Sequence, residues 1–76
     1  MTHALPPRIK STIEAVAREH GVSVKDLMGR DRHKKIAGAR RCAMRAVRAM
    51  DPVPSLPTIG RWFGLHHTTV LHACRQ

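Results

Sequence analysis

The segment "SLPTIGRWFGLHHTTVLHACRQ" (residues 55–76) contains two short helical patterns separated by a glycine. Ser55 is a favourable N-cap, and Pro57 suits the first turn of a helix, where a missing N–H costs no hydrogen bond. Gly64 supplies the left-handed residue that commonly follows a helix. These signals predict a helix-turn-helix over about 55–76, built from helices 56–63 and 67–75.

The second of these helices has two different faces. Its apolar side carries Val70, Leu71, Ala73 and Cys74, and its polar side carries Thr68, Thr69, His72 and Gln76. His67 lies in the first turn. A threonine offers a hydroxyl and a methyl group, and a histidine can donate to a base or a phosphate. The polar face therefore suits the major groove of a duplex.

The remaining segments also have helical periodicity. Helices are predicted over about 7–20, 23–28 and 36–50, with a basic loop at 30–35 that contains no apolar residue. No segment has the alternation of a strand. The predicted fold is a small all-α bundle in a single domain, 1–76. Trp62 and Phe63 share a helical face with Ile59, which favours a core position over a stacking platform for single strands.

The helix predicted at 36–50 carries an arginine stripe. At 100° per residue, the apolar face consists of Ile36, Ala39, Ala43, Ala46, Val47 and Met50. The opposite face consists of Arg41, Arg45 and Arg48. The small apolar residues predict close helix packing, and the arginines predict an exposed cationic surface.

The charge balance points to a polyanionic partner. There are 14 Lys and Arg residues against 5 Asp and Glu residues, and the sequence pI is near 11.4. Nucleic acid is the first candidate partner, an anionic membrane surface the second and an acidic protein the third. No apolar run approaches the length of a membrane span, and the start lacks a signal peptide. A cytoplasmic protein is expected.

Metal binding and catalysis are both disfavoured. His72 and Cys74 lie about 200° apart on a helix and cannot converge on a zinc ion. There is no phosphate loop, and Cys74 lies on the apolar side with no evident oxyanion site. Cys42 and Cys74 are expected to be two thiols packed in the core. No cofactor, metal, catalytic residue or small-molecule substrate is predicted.

The run "SLPTIGRWFGLHHTTVLHACR" resembles the C-terminal DNA-binding domain of the bacterial replication initiator DnaA, and "HTTVLHACR" is its most specific part. The likeness extends more weakly back through "VSVKDLMG", the basic loop and "RRCAM". It implies an all-helical fold with a Trp-repressor-like helix-turn-helix. It also implies sequence-specific binding of double-stranded DNA, with sites like those of the initiator as candidate targets. Without an ATPase domain, this chain is not expected to be a full initiator.

The resemblance also implies roles for individual residues. Base reading falls to His66, His67, Thr68 and Thr69 in the major groove and to Arg32 in the minor groove. Phosphate binding falls to Arg40, Arg41, Arg48, the backbone N–H groups around Leu56, and His72. The basic loop and the arginine stripe add Lys34, Lys35 and Arg45 as phosphate-binding candidates.

Two departures from the family pattern stand out. The family has a glycine-glycine-arginine-aspartate turn before its HTT, whereas this chain has the shorter "GLH", with His66 in place of the aspartate. A histidine is expected to be a poor helix cap, and when protonated it only donates, which would favour guanine N7 or O6. Gly38 and Ala39 replace an arginine-proline pair.

The predicted function is therefore regulation of transcription or of replication initiation through sequence-specific DNA binding, near the bacterial nucleoid. Two alternatives remain open from the residues: a basic protein-interaction module and a binder of structured RNA. A homodimer is a further possibility, because short single domains often bind DNA in pairs.

Overall fold

The structure is a computed structural model that describes residues 5–29 and 33–75. These residues form α1 (Pro7–His20), α2 (Val24–Met28), α3 (Lys34–Arg48), α4 (Leu56–Phe63) and α5 (His67–Arg75). The described part of the chain contains no strand. The all-α prediction is confirmed, as are the predicted bounds of α1, α4 and α5.

Helix α3 begins and ends earlier than predicted. It starts at Lys34 rather than at residue 36, so Lys34 and Lys35 belong to its first turn and not to the basic loop. Apolar periodicity starts only at Ile36, because a first turn that faces solvent needs no apolar residue. The helix ends at Arg48 rather than at residue 50. Met50 is still partly buried against the core, so the apolar periodicity continues past the last helical residue.

Helix α2 begins at Val24, one residue later than predicted, because Ser23 is its N-cap. The Ser23 hydroxyl accepts a hydrogen bond from the Asp26 N–H at 3.0 Å. An N-cap residue lies outside the helix in conformation while its side chain satisfies one of the first N–H groups. A serine with this bond therefore marks the residue before the helix and not its first residue.

Helix α3 is the centre of the molecule and contacts each of the other four helices. Ala39, Ala43 and Val47 are fully buried, which confirms these positions of the predicted apolar face and the close packing that alanine permits, whereas Ile36 is only half-buried. Met44 is also buried, although the helical wheel did not assign it to that face. The rest of the core comes mainly from Ile9, Ile13, Val16, Ala17, Leu27, Ile59, Phe63, Val70 and Ala73.

The cysteine prediction is wrong for Cys42, whose side chain is exposed on α3. Cys42 directly follows Arg41 and lies away from Ala39 and Ala43, which take the buried positions. Cys74 is partly buried and packs against the core, with its Sγ 3.9 Å from the carbonyl oxygen of Met44. Among the described residues, no helix is both long enough and apolar enough to cross a membrane.

Candidate nucleic-acid interface

A tight glycine turn fixes α5 against α4. Gly64 adopts φ +67°, a left-handed conformation that glycine tolerates without penalty. The Leu65 N–H donates to the Gly60 carbonyl at 2.8 Å, and the Gly64 N–H donates to the Arg61 carbonyl. This pair of bonds is a Schellman motif. It ends α4 and directs the chain into α5.

Gly60 allows the turn to close. It is buried, and a Cβ built on it would lie 2.5 Å from the carbonyl oxygen of Leu65. Real Cβ atoms essentially never approach a backbone atom so closely. Sequence reasoning missed this residue, although its position four residues before Gly64 matches the carbonyl that a Schellman motif requires.

His66 is the N-cap of α5, and its side chain makes a hydrogen bond to the first turn although a histidine is expected to be a poor cap. Its Nδ1 accepts a hydrogen bond from the Thr68 N–H at 3.3 Å, and it lies 2.6 Å from Thr68 Oγ1. The His66 carbonyl accepts from the N–H groups of Thr69 and Val70. An unprotonated imidazole nitrogen can accept as a carboxylate does, so the first turn of α5 is satisfied without an acidic residue.

The four residues predicted to read bases in the major groove lie together on one exposed surface, the first turn of α5. This surface consists of His66, His67, Thr68 and Thr69. The rings of the two histidines lie 4.3 Å apart between centroids, tilted by 32°. The opposite side of the helix is anchored in the core by Val70, which is fully buried, and by Ala73. The exposed turn is therefore held rigidly.

Three of the predicted phosphate-binding arginines also bind backbone carbonyls of neighbouring elements. Arg40 donates to the Leu27 carbonyl at 2.8 Å, at the end of α2. Arg45 donates to the Ala73 carbonyl of α5 at 2.9 Å, and Arg48 donates to the Pro54 carbonyl. A guanidinium has five N–H donors, so the single carbonyl contact of Arg45 or of Arg48 leaves others available. These residues tie α3 to its neighbours as well as presenting charge.

Arg41 differs from the other three arginines of α3. It is exposed, and no hydrogen bond of this kind ties it to another described residue. It lines a cleft of about 300 Å³ between α3 and α5 together with Thr69 and His72. This arrangement places a cation, a hydroxyl and an imidazole beside the exposed turn of α5.

Leu56 supplies a backbone donor at the start of α4. Pro57 has no N–H, the Thr58 N–H donates to the Ser55 hydroxyl at 3.3 Å, and the Ile59 N–H donates to the Ser55 carbonyl at 3.0 Å. In the first turn of α4, the Leu56 N–H is therefore the donor that is still available to an anion. Unpaired N–H groups and the helix dipole both favour an anion at such an end.

The remaining predicted contacts divide between described and undescribed residues. Lys34 and Lys35 are exposed in the first turn of α3. Arg32, predicted to read the minor groove, lies outside the described residues. Within residues 5–29 and 33–75, no three His, Cys, Asp or Glu side chains form a group that could hold a metal ion.

Two helices joined by a glycine turn, with the exposed first turn of the second beside a cationic helix, define a helix-turn-helix domain. A family model described as the bacterial dnaA protein helix-turn-helix matches residues 9–76. The chain belongs to this family, and it is a DNA-binding domain of the DnaA type.

Two named relatives of this chain are replication initiators of the same family. The chain is 44% identical over 70 residues to the chromosomal replication initiator protein DnaA of Bartonella quintana and 46% identical over 70 residues to that of Brucella abortus. Each match covers 91% of this chain and 14% of the relative, so the chain spans about one seventh of the length of these proteins. No solved structure matches significantly.

Proposed function

We propose that this chain binds double-stranded DNA in a sequence-specific manner and thereby regulates transcription or replication initiation in the bacterial cytoplasm, at the nucleoid. The observation that carries this proposal is the exposed first turn of α5, whose polar side chains are held on a helix anchored by Val70 and Ala73. A rigid helix end with short polar side chains is the usual reader of base edges in a major groove.

The cations around this turn are suited to holding the phosphate backbone. Arg41 and His72 line the cleft beside α5, and Lys34 and Lys35 begin α3. The Leu56 N–H adds a neutral donor at the start of α4. Arg45 and Arg48 contribute charge with the donors that their carbonyl contacts leave over, and Arg40 contributes its charge. Such contacts orient a protein on DNA and release counterions, while the base contacts provide sequence preference.

Arg32 is proposed to enter the minor groove from the basic segment before α3. The targets proposed are sites like those bound by the DnaA relatives, and the functional unit proposed is the whole of residues 1–76, with the helix-turn-helix over residues 55–76. No residue is assigned a catalytic role, and no cofactor or small-molecule substrate is required. A homodimer on two half-sites would be compatible with this mode of binding.

The experiment is a selection of bound duplexes from a random pool, followed by fluorescence anisotropy at two salt concentrations. The probes are the selected duplex, a scrambled duplex and an RNA hairpin. The proposal predicts one enriched motif, and affinity for it at least tenfold above the scrambled duplex and the hairpin. Equal affinity for all three probes would overturn it, and preference for the hairpin would indicate an RNA-binding protein. Failure to bind any of them would point to a protein partner.

A further inference from the structure

The hydrogen bond from the Thr68 N–H bears on where the His66 ring carries its hydrogen. A backbone N–H can only donate, so the Thr68 N–H, 3.3 Å from His66 Nδ1, requires a lone pair on that nitrogen. The ring hydrogen of a neutral imidazole then lies on Nε2. In that tautomer the hydroxyl of Thr68 is the donor in its 2.6 Å contact with Nδ1, whereas a hydrogen on Nδ1 would reverse this contact.

This arrangement gives the exposed turn a fixed hydrogen-bond polarity. His66 presents one donor, the Nε2–H. Thr68 has committed its hydroxyl hydrogen to the ring and keeps its oxygen lone pairs, so it presents an acceptor. Rotation of the His66 ring would remove the cap from the Thr68 N–H, and contact with the His67 ring, 4.3 Å away, further restricts it.

The four bases differ in how well they meet a group that only donates. In the major groove guanine presents two acceptors, N7 and O6, and no donor, whereas cytosine presents only its amino donor. Adenine combines one acceptor with an amino group, and thymine combines one acceptor with a methyl group. Guanine is therefore the base that offers two acceptors to a hydrogen-bond donor, with no competing amino or methyl group.

We infer, on the basis of the proposed function, that His66 is a specificity-determining residue that reads a guanine through its Nε2–H. The polarity comes from the capping ring, whose Nδ1 accepts from the Thr68 N–H and whose Nε2–H faces outward. An acidic residue at the same cap would present only acceptors and would select a base with an amino group. His66 therefore presents a hydrogen-bond donor at a position where an acidic cap would present an acceptor.

The test compares wild type with His66→Asp and His66→Ala. Aspartate is a strong N-cap, so His66→Asp keeps the helix start while replacing the outward donor with an acceptor. Selection from a random duplex pool is expected to enrich guanine at one position for wild type. His66→Asp should enrich cytosine or adenine there, and His66→Ala should lose the preference. Replacing that guanine by cytosine should weaken wild-type binding about fivefold to tenfold.

Two controls separate this inference from the proposed function. Thermal unfolding should show His66→Asp close to wild type, and ¹⁵N shifts of the His66 ring should report hydrogen on Nε2. A wild type that enriches no motif contradicts the proposed function. A wild type with a clear motif that is unchanged in His66→Asp, or a ring with its hydrogen on Nδ1, contradicts the role of His66 alone.

Discussion

Arg41 and Arg45 lie one helical turn apart on α3 and differ in what they contact. Arg41 lines the cleft beside α5, while Arg45 donates to the Ala73 carbonyl and ties α3 to α5. A buried carbonyl that loses its donor costs free energy, whereas removal of an exposed cation mainly lowers affinity for an anion. The two residues therefore allow electrostatic and structural contributions to be separated.

Arg41→Ala should leave the free energy of unfolding nearly unchanged and weaken binding to any duplex. Arg45→Ala should reduce the free energy of unfolding by about 1 kcal/mol, because the Ala73 carbonyl loses a partner. Urea denaturation and anisotropy on a scrambled duplex measure the two effects. Equal loss of stability in both variants would show that the Arg45 contact contributes nothing to the fold.

Residue types at the site could be predicted from the sequence, but their contacts could not. The helical wheel placed Arg41, Arg45 and Arg48 on one face, because that depends only on spacing along α3. Which carbonyl each guanidinium meets depends on where α5 and the segment around Pro54 lie in space. The capping by His66 was missed for a related reason, since it depends on a ring orientation and not on a residue preference.

At the scale of elements, the turn between α4 and α5 depends on the close contact between Gly60 and the backbone of Leu65. The Leu65 carbonyl lies 2.5 Å from where a Gly60 Cβ would be, so any side chain there forces the turn to move. Gly38 provides a matched comparison within α3. The nearest atom to its added Cβ is the Arg41 guanidinium, at 4.0 Å.

Gly60→Ala should lower the free energy of unfolding by about 2 kcal/mol, as expected for overpacking against backbone. Gly38→Ala should raise it by about 0.5–1 kcal/mol, because alanine is the better helix former and has room. Thermal unfolding followed by circular dichroism distinguishes them. Stabilisation by both substitutions would mean that the turn is more open than described.

The end of a helix could be predicted where a capping residue coincides with the end of the apolar periodicity. Gly21 and Gly64 end α1 and α4, and both adopt φ +67°. The ends of α3 have no such signal, because His33 makes no side-chain cap and Ala49 remains in a right-handed conformation. Apolar spacing shows which residues are buried and not which residues make helical hydrogen bonds. The bounds predicted for α3 from that spacing were therefore two residues too late at both ends.

On the scale of the whole molecule, the charge excess sets the response to salt. Lys and Arg residues outnumber Asp and Glu residues by 14 to 5. If about five to seven of these cations neutralise phosphates, the logarithm of affinity should fall against that of salt concentration with a slope of about −5 to −6. Arg41→Ala should reduce the slope by about 1. A slope near zero in anisotropy titrations would contradict binding through the phosphate backbone.

The central claim is that the first turn of α5 reads bases while α3 holds the backbone. The most direct measurement compares Thr68→Ala with Arg41→Ala by the ratio of affinities for the selected and the scrambled duplex. Thr68→Ala should lower this ratio about tenfold and leave binding to the scrambled duplex nearly unchanged. Arg41→Ala should weaken both duplexes alike and keep the ratio. The reverse pattern would contradict the claim.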